Sequence, residues 1–487
     1  MAIAEARTRW IALIVLCLGS LMIVLDTTIV NVALPSIQKD LGFSETSLAW
    51  IVNAYLLTFG GFLLLGGRLG DLYGHRRLFL AGITLFTLAS LACGLSTTQG
   101  MLVAARAVQG LGGAVTSAVS LSLVMTLLTD LGERTKAMGV FGFVAAGGGS
   151  VGVLLGGVLT DILNWHWIFL VNVPIGAAVC VLSVRILPGG SGPATSQRLD
   201  VAGAVTATGA LMLAVYAIVN GNQVGWVTAR TLGLLAGSVV LLAAFLVVES
   251  KVSSPLAPLG LFRLRNVATA NVAGMLWAAA MFAWFFLSAL YLQHVLGYSP
   301  LEVGLAFLPS CLIMAAFSVG LSAKMVMRFG IRAPMATGLV LASIGLILLV
   351  RAPLDGSYAT DVLPTMILLG FGAGTAFNPV LMAAMNDVAP TEAGLASGIV
   401  NTSFMMGGAL GLAVLASIAD RRTDDLRASG HSAVSALNGG YHVAFVVGAV
   451  FALGAAALGA VFFRGGVPAQ AHGGEHAVGA PAAEAEL

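Results

Sequence analysis

Runs of about 20 apolar residues, almost free of charge, recur from one end of this sequence to the other, and each is long enough to cross a hydrocarbon core of roughly 30 Å as a helix. A segment in lipid has no water to satisfy its backbone N–H and C=O groups, which favours helices or closed barrels. A barrel strand alternates polar and apolar residues; the stretch "AVTATGALMLAVYAIV" (Ala204–Val219) does not. Charged residues are 9% of the 487 and apolar ones 58%, against about 25% charged in a soluble domain. The chain reads as an all-α polytopic membrane protein whose first partner is the lipid bilayer.

A net charge of +2 gives no footprint for a nucleic-acid partner. Cys17, Cys93, Cys180 and Cys311 lie in four different apolar segments without a C-x-x-C pair, so they read as small buried hydrophobes rather than a disulfide or zinc framework. His472 and His476 sit in a polar tail and read as solvated, so no metal is expected. The first apolar run begins at Trp10 and continues past Leu34 with no A-x-A site after it, so it reads as a first span rather than a cleaved leader.

The hydrophobic runs predict fourteen spans, at 10–35, 48–70, 78–96, 101–129, 137–160, 166–186, 200–220, 230–249, 266–292, 300–324, 333–350, 361–388, 394–419 and 440–463. With both termini cytoplasmic, sixteen of the 23 basic residues fall inside, six outside, and Arg106 within a span. That asymmetry sets the orientation.

An internal repeat is visible. "LGFS" (Leu41–Ser44) precedes the second span and "LGYS" (Leu296–Ser299) the tenth. Gly67, Asp71, Gly74 and Arg76 then recur at the same offsets as Ala323, Met327, Gly330 and Arg332. Two related halves that rock about a central site are a recurrent transporter design. Residues 1–199 read as a first six-helix half, 200–250 as two inserted spans and their following turn, 251–464 as a second six-helix half, and 465–487 as a disordered cytoplasmic tail.

The loop "GRLGDLYGHRR" (Gly67–Arg77) resembles the signature loop between the second and third helices of the major facilitator superfamily. "LDTTIVNVALP" (Leu25–Pro35) and "RAVQGLGGA" (Arg106–Ala114) resemble motifs of its first and fourth helices. "WHWIFLVNVPIG" (Trp165–Gly176) and "GLASGIVNTSFMMGGALGLAV" (Gly394–Val414) are similar to the sixth and thirteenth helices of its fourteen-helix drug:proton antiporters. The resemblance implies the major facilitator fold of two six-helix halves plus two inserted helices. It also implies proton-driven export of lipophilic or cationic small molecules such as drugs, dyes or antibiotics, by a monomer without cofactor. A lipid or a secreted metabolite is the alternative cargo. No H-E-x-x-H, G-x-S-x-G or Walker A sequence occurs, which speaks against an enzyme and against ATP drive.

Asp26 is the one acid placed well inside a predicted span, where a charge costs about 2.5–3.5 kcal/mol on insertion scales. A carboxyl taken out of water holds its proton to higher pH, which suits a proton carrier. Arg106 is the one basic residue deep in a span, and the resemblance associates its motif with proton coupling. The two are expected to face one another.

The resemblance gives the loop a conformational role. Gly67 and Gly70 would allow close helix approach, Asp71 would cap the span starting near Gly394, Gly74 would belong to the same gate, and Arg76 would pair with Asp130. Gly148, Gly152 and Gly156, with Gly157 beside them, form a smooth face for another helix, although the antiporter motif's usual Gly-Pro step is Gly152-Val153 here. Trp277, Met281, Trp284, Ser288 and Tyr291 share one helix face. Together with Tyr55, Phe59, Asn378, Asn401 and Met405, the residues Trp277, Met281 and Trp284 are the expected wall of a lipophilic cavity. Phe404-Met405 stands where the family often has Arg-Gln.

Overall fold

The computed structural model describes the chain except for residue 1 and residues 129–130, 188–199, 253–254, 318–320, 387, 389–392 and 464–487. Asp130 and the tail therefore lie outside the described residues. Among these, fourteen helices have 15 residues or more. They are α1 Ala2–Leu41, α2 Trp50–Tyr73, α3 His75–Gly94, α4 Gln99–Leu127, α5 Leu131–Ile162, α6 Asn172–Ile186 and α7 Val201–Val224. There follow α8 Ala229–Lys251, α9 Arg265–Leu290, α10 Pro300–Ala316, α11 Arg332–Leu349, α12 Leu363–Asn386, α13 Ala393–Ala428 and α14 Ala433–Phe462. Twelve of the described helices are long and apolar enough to cross a membrane; α5 and α10 contribute the shorter apolar stretches Gly148–Ile162 and Pro300–Ala316.

The helices outrun the hydrophobic pattern at one end of the molecule. α1 continues six residues past the predicted end to Leu41, α13 nine residues to Ala428, and α14 starts seven residues early at Ala433. A helix needs continuous backbone hydrogen bonds and not continuous hydrophobicity, so "DRRTDDLRA" prolongs α13 beyond its apolar part.

Sequence chemistry fixes the ends. Thr98 accepts from Met101 N, Thr228 from Thr231 N and Ser432 from Ser435 N, each capping the helix that follows. The repeat has a backbone meaning. Gly42 and Gly297 adopt φ of 71° and 73°, and Ser44 and Ser299, two residues on, each close a capping box. Gly74 (φ 91°) and Gly330 (φ 73°) end the helices before their basic loops in the same way. Left-handed backbone at these corners favours residues without Cβ.

Helices α1 to α6 pack chiefly among themselves, with α1 on α5, α4 on α2 and α3, and α6 on α3. Helices α9 to α14 do the same, with α9 on α13 and α14, and α12 on α10 and α11. The two sets meet along two seams, α5 against α10 and α2 against α13. Helix α7 lies on the second seam, touching α2 and α13, and α8 packs on α7. Outward-facing positions such as Leu88, Val151, Val239, Val240 and Val450 are apolar, whereas Asp26, Arg106, Gln109 and Asn172 are buried. Apolar outside and polar within is the arrangement a bilayer demands.

Glycine is what brings α5 close. A Cβ on Gly152 would lie 2.9 Å from the Leu25 carbonyl oxygen of α1, and one on Gly156 would lie 2.5 Å from that of Ile29. A Cβ on Gly148 would touch Val24, and one on Gly157 would lie 2.7 Å from the Pro300 carbonyl of α10. The glycine face thus serves two neighbours, one in each helix set.

Candidate functional site

The sequence places two lone charges in apolar helices, and the fold brings them together. Arg106 Nη1 on α4 donates to Asp26 Oδ2 on α1 at 2.5 Å, with 1% and 0% of the side chains exposed. Burial of such a pair is unfavourable unless the remaining lone pairs and protons are satisfied. Here they are. Gln109, one turn after Arg106, accepts from Arg106 Nη1 at 2.7 Å and donates through Nε2 to Asp26 Oδ1 at 2.7 Å and to Ser90 Oγ at 2.6 Å. Asn172 on α6 donates to the same Asp26 Oδ1 at 3.2 Å and reaches Ser90 Oγ at 3.4 Å. Arg106 Nε donates to the Ile51 carbonyl of α2 at 3.0 Å, and its guanidinium lies 4.4 Å from the Tyr55 ring centre and 5.6 Å from that of Phe169. Aromatic faces attract a cation by about 0.5–2 kcal/mol.

The network has a direction. Each of the three side chains on Asp26 presents an N–H, so the carboxylate accepts from all of them. An ionised carboxylate is acceptor-only, whereas a protonated one must place an O–H against a neighbour. The arrangement fits the charged form, in which the Arg106 guanidinium faces an opposite charge. Ser90, Gln109 and Asn172 are the members that sequence reasoning missed. Their signals were present: Gln109 stands at i+3 from Arg106, and Asn172 lies inside an already singled-out motif.

The loop at the other end of α2 is assembled differently from expectation. Gly70 is a true close approach, with Val119 Cγ1 2.7 Å from where its Cβ would stand. Gly67 is not: a Cβ there meets no described atom within 4 Å, because Gly67 points away from the α4 face that Gly66 and Gly70 share. Asp71 is more than half exposed, with its carboxylate 3.4 Å from His75 Nε2. Arg76 Nη2 donates to the Val184 carbonyl in the last turns of α6. The partner expected for Arg76, Asp130, and the residues just before α13 lie outside the described residues.

The expected lipophilic wall is divided. Tyr55 stacks on Phe59 with ring centres 5.7 Å apart, beneath Arg106. Trp277 and Asn401 line a small void of about 10 Å³ with Phe377 and Phe404. Trp284 stands elsewhere, packed on Phe285 and Phe307, with centres 4.4 and 6.1 Å away. Helical spacing put Trp284 on the right face but could not say that α10 would cover it. Among the described residues neither indole N–H, of Trp277 or Trp284, finds an acceptor, and neither does the Tyr55 hydroxyl. Met281, Asn378 and Met405 are partly buried, and Met405 sits against Gly60 across the α2–α13 seam.

Comparison with known proteins places this geometry. The puromycin resistance protein of Streptomyces alboniger is 40% identical over 456 residues, 93% of this chain and 90% of that protein. The cephamycin export protein of Amycolatopsis lactamdurans is 40% identical over 458 residues, covering 93% of each. Among solved structures, an inward-facing, unoccupied bacterial homologue of the human lysosomal transporter Spinster matches with a TM-score of 0.66. It covers 93% of this chain and 96% of its own at 17% identity, a likeness of fold. The sequence profile of the Major Facilitator Superfamily matches residues 16–412. With most of its length inside that profile and two relatives at 40% identity along nearly the whole chain, this multi-pass membrane transporter belongs to the Major Facilitator Superfamily.

Proposed function

We propose that the protein is a proton-coupled exporter of lipophilic small molecules in a bacterial cell membrane, with fourteen spans and both termini in the cytoplasm. Six spans before residue 200 and six after residue 251 form the moving halves, and the two spans of 200–250 are an insertion between them. Relatives named for puromycin resistance and cephamycin export support the cargo class.

The observation that carries the coupling is the dry Asp26 carboxylate held by donors from two other helices. A proton arriving at Asp26 cancels the charge that the Arg106 guanidinium faces, so the pair weakens and α1 and α4 are freer to part. Buried polar networks tolerate no half-satisfied state cheaply, so protonation is converted into helix movement. Both Asp26 oxygens are occupied, which favours a proton role for it over direct binding of a cationic substrate.

The remaining roles follow the same division. Gly70, Gly74, Asp71 and Arg76 form a cytoplasmic gate between α2 and its neighbours, with Asp130 as a further member. Gly148, Gly152, Gly156 and Gly157 let α5 slide on α1 and α10. Tyr55, Phe59, Trp277, Met281, Asn378, Asn401 and Met405 line the substrate path, with Trp284 supporting it from behind. Unpaired donors at Tyr55 and Trp277 suit a cargo that brings hydrogen-bond acceptors. A neutral lipid or metabolite is the second reading, favoured by Phe404, which packs edge-on to Phe282 and Phe377 and keeps the void apolar.

The test is purified protein in proteoliposomes with an internal pH indicator, challenged with antibiotics, dyes and lipids. Cargo movement that drives proton counterflow is expected. Cargo movement that leaves internal pH unchanged, and that ignores an imposed pH gradient, would refute the coupling.

A further inference from the structure

The inserted hairpin bears on the moving seam. Helix α8 touches little besides α7, and its Val239 and Val240 are each 66% exposed. Helix α7, by contrast, touches both helix sets. Its Thr208 fills the notch left by Gly61 of α2, so closely that any Cβ on Gly61 would overlap the Thr208 hydroxyl. Higher on α2, Trp50 and Tyr216 of α7 stand 6.4 Å apart between ring centres. On the other side of the seam, Asn222 Nδ2 donates to the Ser417 carbonyl of α13 at 2.7 Å and to Asp420 Oδ2 at 3.3 Å. Ser417 Oγ returns a bond to the Ile218 carbonyl at 3.4 Å. Trp226 Nε1 donates to Asn222 Oδ1 at 3.0 Å, which fixes the amide with its N–H₂ toward α13.

The two attachments differ in kind. The Thr208 notch is mid-helix and apolar in its surroundings, with no water at hand to replace a lost contact. The Asn222 attachment is at the end of α7, three residues before the Gly225 turn, and only part-buried. Hydrogen bonds exchanged for bonds to water there are worth little net, so they can open and close. A helix fastened to both sets cannot keep both fastenings when the sets move apart.

We propose that α7 is a strap across the α2–α13 seam, anchored on α2 at Thr208–Gly61, whose Asn222 clasp on Ser417 and Asp420 must open before the outer side can open. The clasp holds closed the end of the seam where Glu45 and Tyr441, from opposite sets, also meet at 3.5 Å. The insertion therefore sets the resting balance between the two access states and does not merely add bulk.

Two measurements test this. In the first, Ala419→Cys, a buried position beside Glu45 and Tyr441, is labelled from outside with a membrane-impermeant maleimide, with and without Asn222→Ala. Losing a few hydrogen bonds from the closed state predicts labelling roughly five- to thirtyfold faster in the double variant. Equal or slower labelling overturns the proposal. This measurement reads no transport, so it fails separately from the exporter reading. In the second, Asn222→Cys and Asp420→Cys are joined by a short, reducible thiol cross-linker in liposomes. Transport is expected to fall at least tenfold on cross-linking and to return on reduction. A cross-linked protein that transports at its reduced rate, or a pair that cannot be joined, overturns the clasp. If the pair is inactive even when reduced, the labelling rates alone decide.

Discussion

Replacing Asp26 by Asn removes a charge and leaves the shape. The structure says what should follow. The carboxylate accepts from Arg106, Gln109 and Asn172, and Arg106 is 1% exposed. An Asn side chain can accept through one oxygen, but its N–H₂ then points at another donor, and the guanidinium is left buried with no counter-charge. Removing one partner of a buried pair costs about 3–5 kcal/mol. Retained bonds from Arg106 to Gln109 Oε1 and the Ile51 carbonyl place the expectation near the lower end, about 3 kcal/mol. Asp26→Asn together with Arg106→Gln leaves no buried charge and should recover most of that loss. Coupling behaves otherwise. Asp26→Asn should lose transport driven by a pH gradient, and the double variant should stay uncoupled although its stability returns. Both quantities are measurable on one preparation, by thermal unfolding in detergent and by gradient-driven uptake into everted vesicles across a pH series. If Asp26→Asn transports at the parent rate with the parent pH dependence, the proton travels by another group and the argument fails. If the double variant is no more stable than the single, the buried-charge account of the cost is wrong.

Gly156→Ala should destabilise by about 1–3 kcal/mol through contact with the Ile29 carbonyl, whereas Gly67→Ala should be neutral or gain up to about 1 kcal/mol of helix propensity; thermal unfolding compares them, and equal losses would void the packing argument. Gly74→Ala, at φ 91°, should cost about 1–2 kcal/mol as backbone strain, and an unchanged unfolding temperature would contradict that corner. Asp71→Asn should leave expression and insertion normal and slow turnover several-fold; unchanged transport would reduce the loop to a membrane anchor. Cysteines at Tyr73 and Ser429 should react with an impermeant maleimide from opposite faces, the first from inside only, and labelling of both from one face would break the proposed topology.

What the sequence makes legible here is what a bilayer punishes. Asp26 and Arg106 stand out because each is a lone charge among apolar residues, and their meeting follows from how few alternatives a buried charge has. Ser90, Gln109 and Asn172 were not singled out, since neutral polar side chains are common in membrane helices and their partner depends on which helices become neighbours. Four spaced glycines on α5 announce a close contact without saying that α1 takes three of them and α10 the fourth. The loop motif is similarly silent on which of Gly67 and Gly70 touches anything, because the face on α4 runs through Gly66 and Gly70, and Gly67 stands about 100° round α2 from Gly66. Trp284 shows the same gap: its face was legible, its cover was not.

The paired corners carry a further meaning. Gly42 and Gly297, and Gly74 and Gly330, hold matching left-handed backbone in the two sets, so what the two repeats share is above all a skeleton of bends. Charge is shared only in part: Arg76 is matched by Arg332, whereas Asp71 corresponds to Met327. Parallel copies run the same way through a membrane, so even identical halves present different ends to its two faces. Divergence at one bend and not its twin therefore makes the two sets unequal partners at the same end of the molecule. Grafting the acid onto the second copy, Met327→Asp, would give the two bends the same charge.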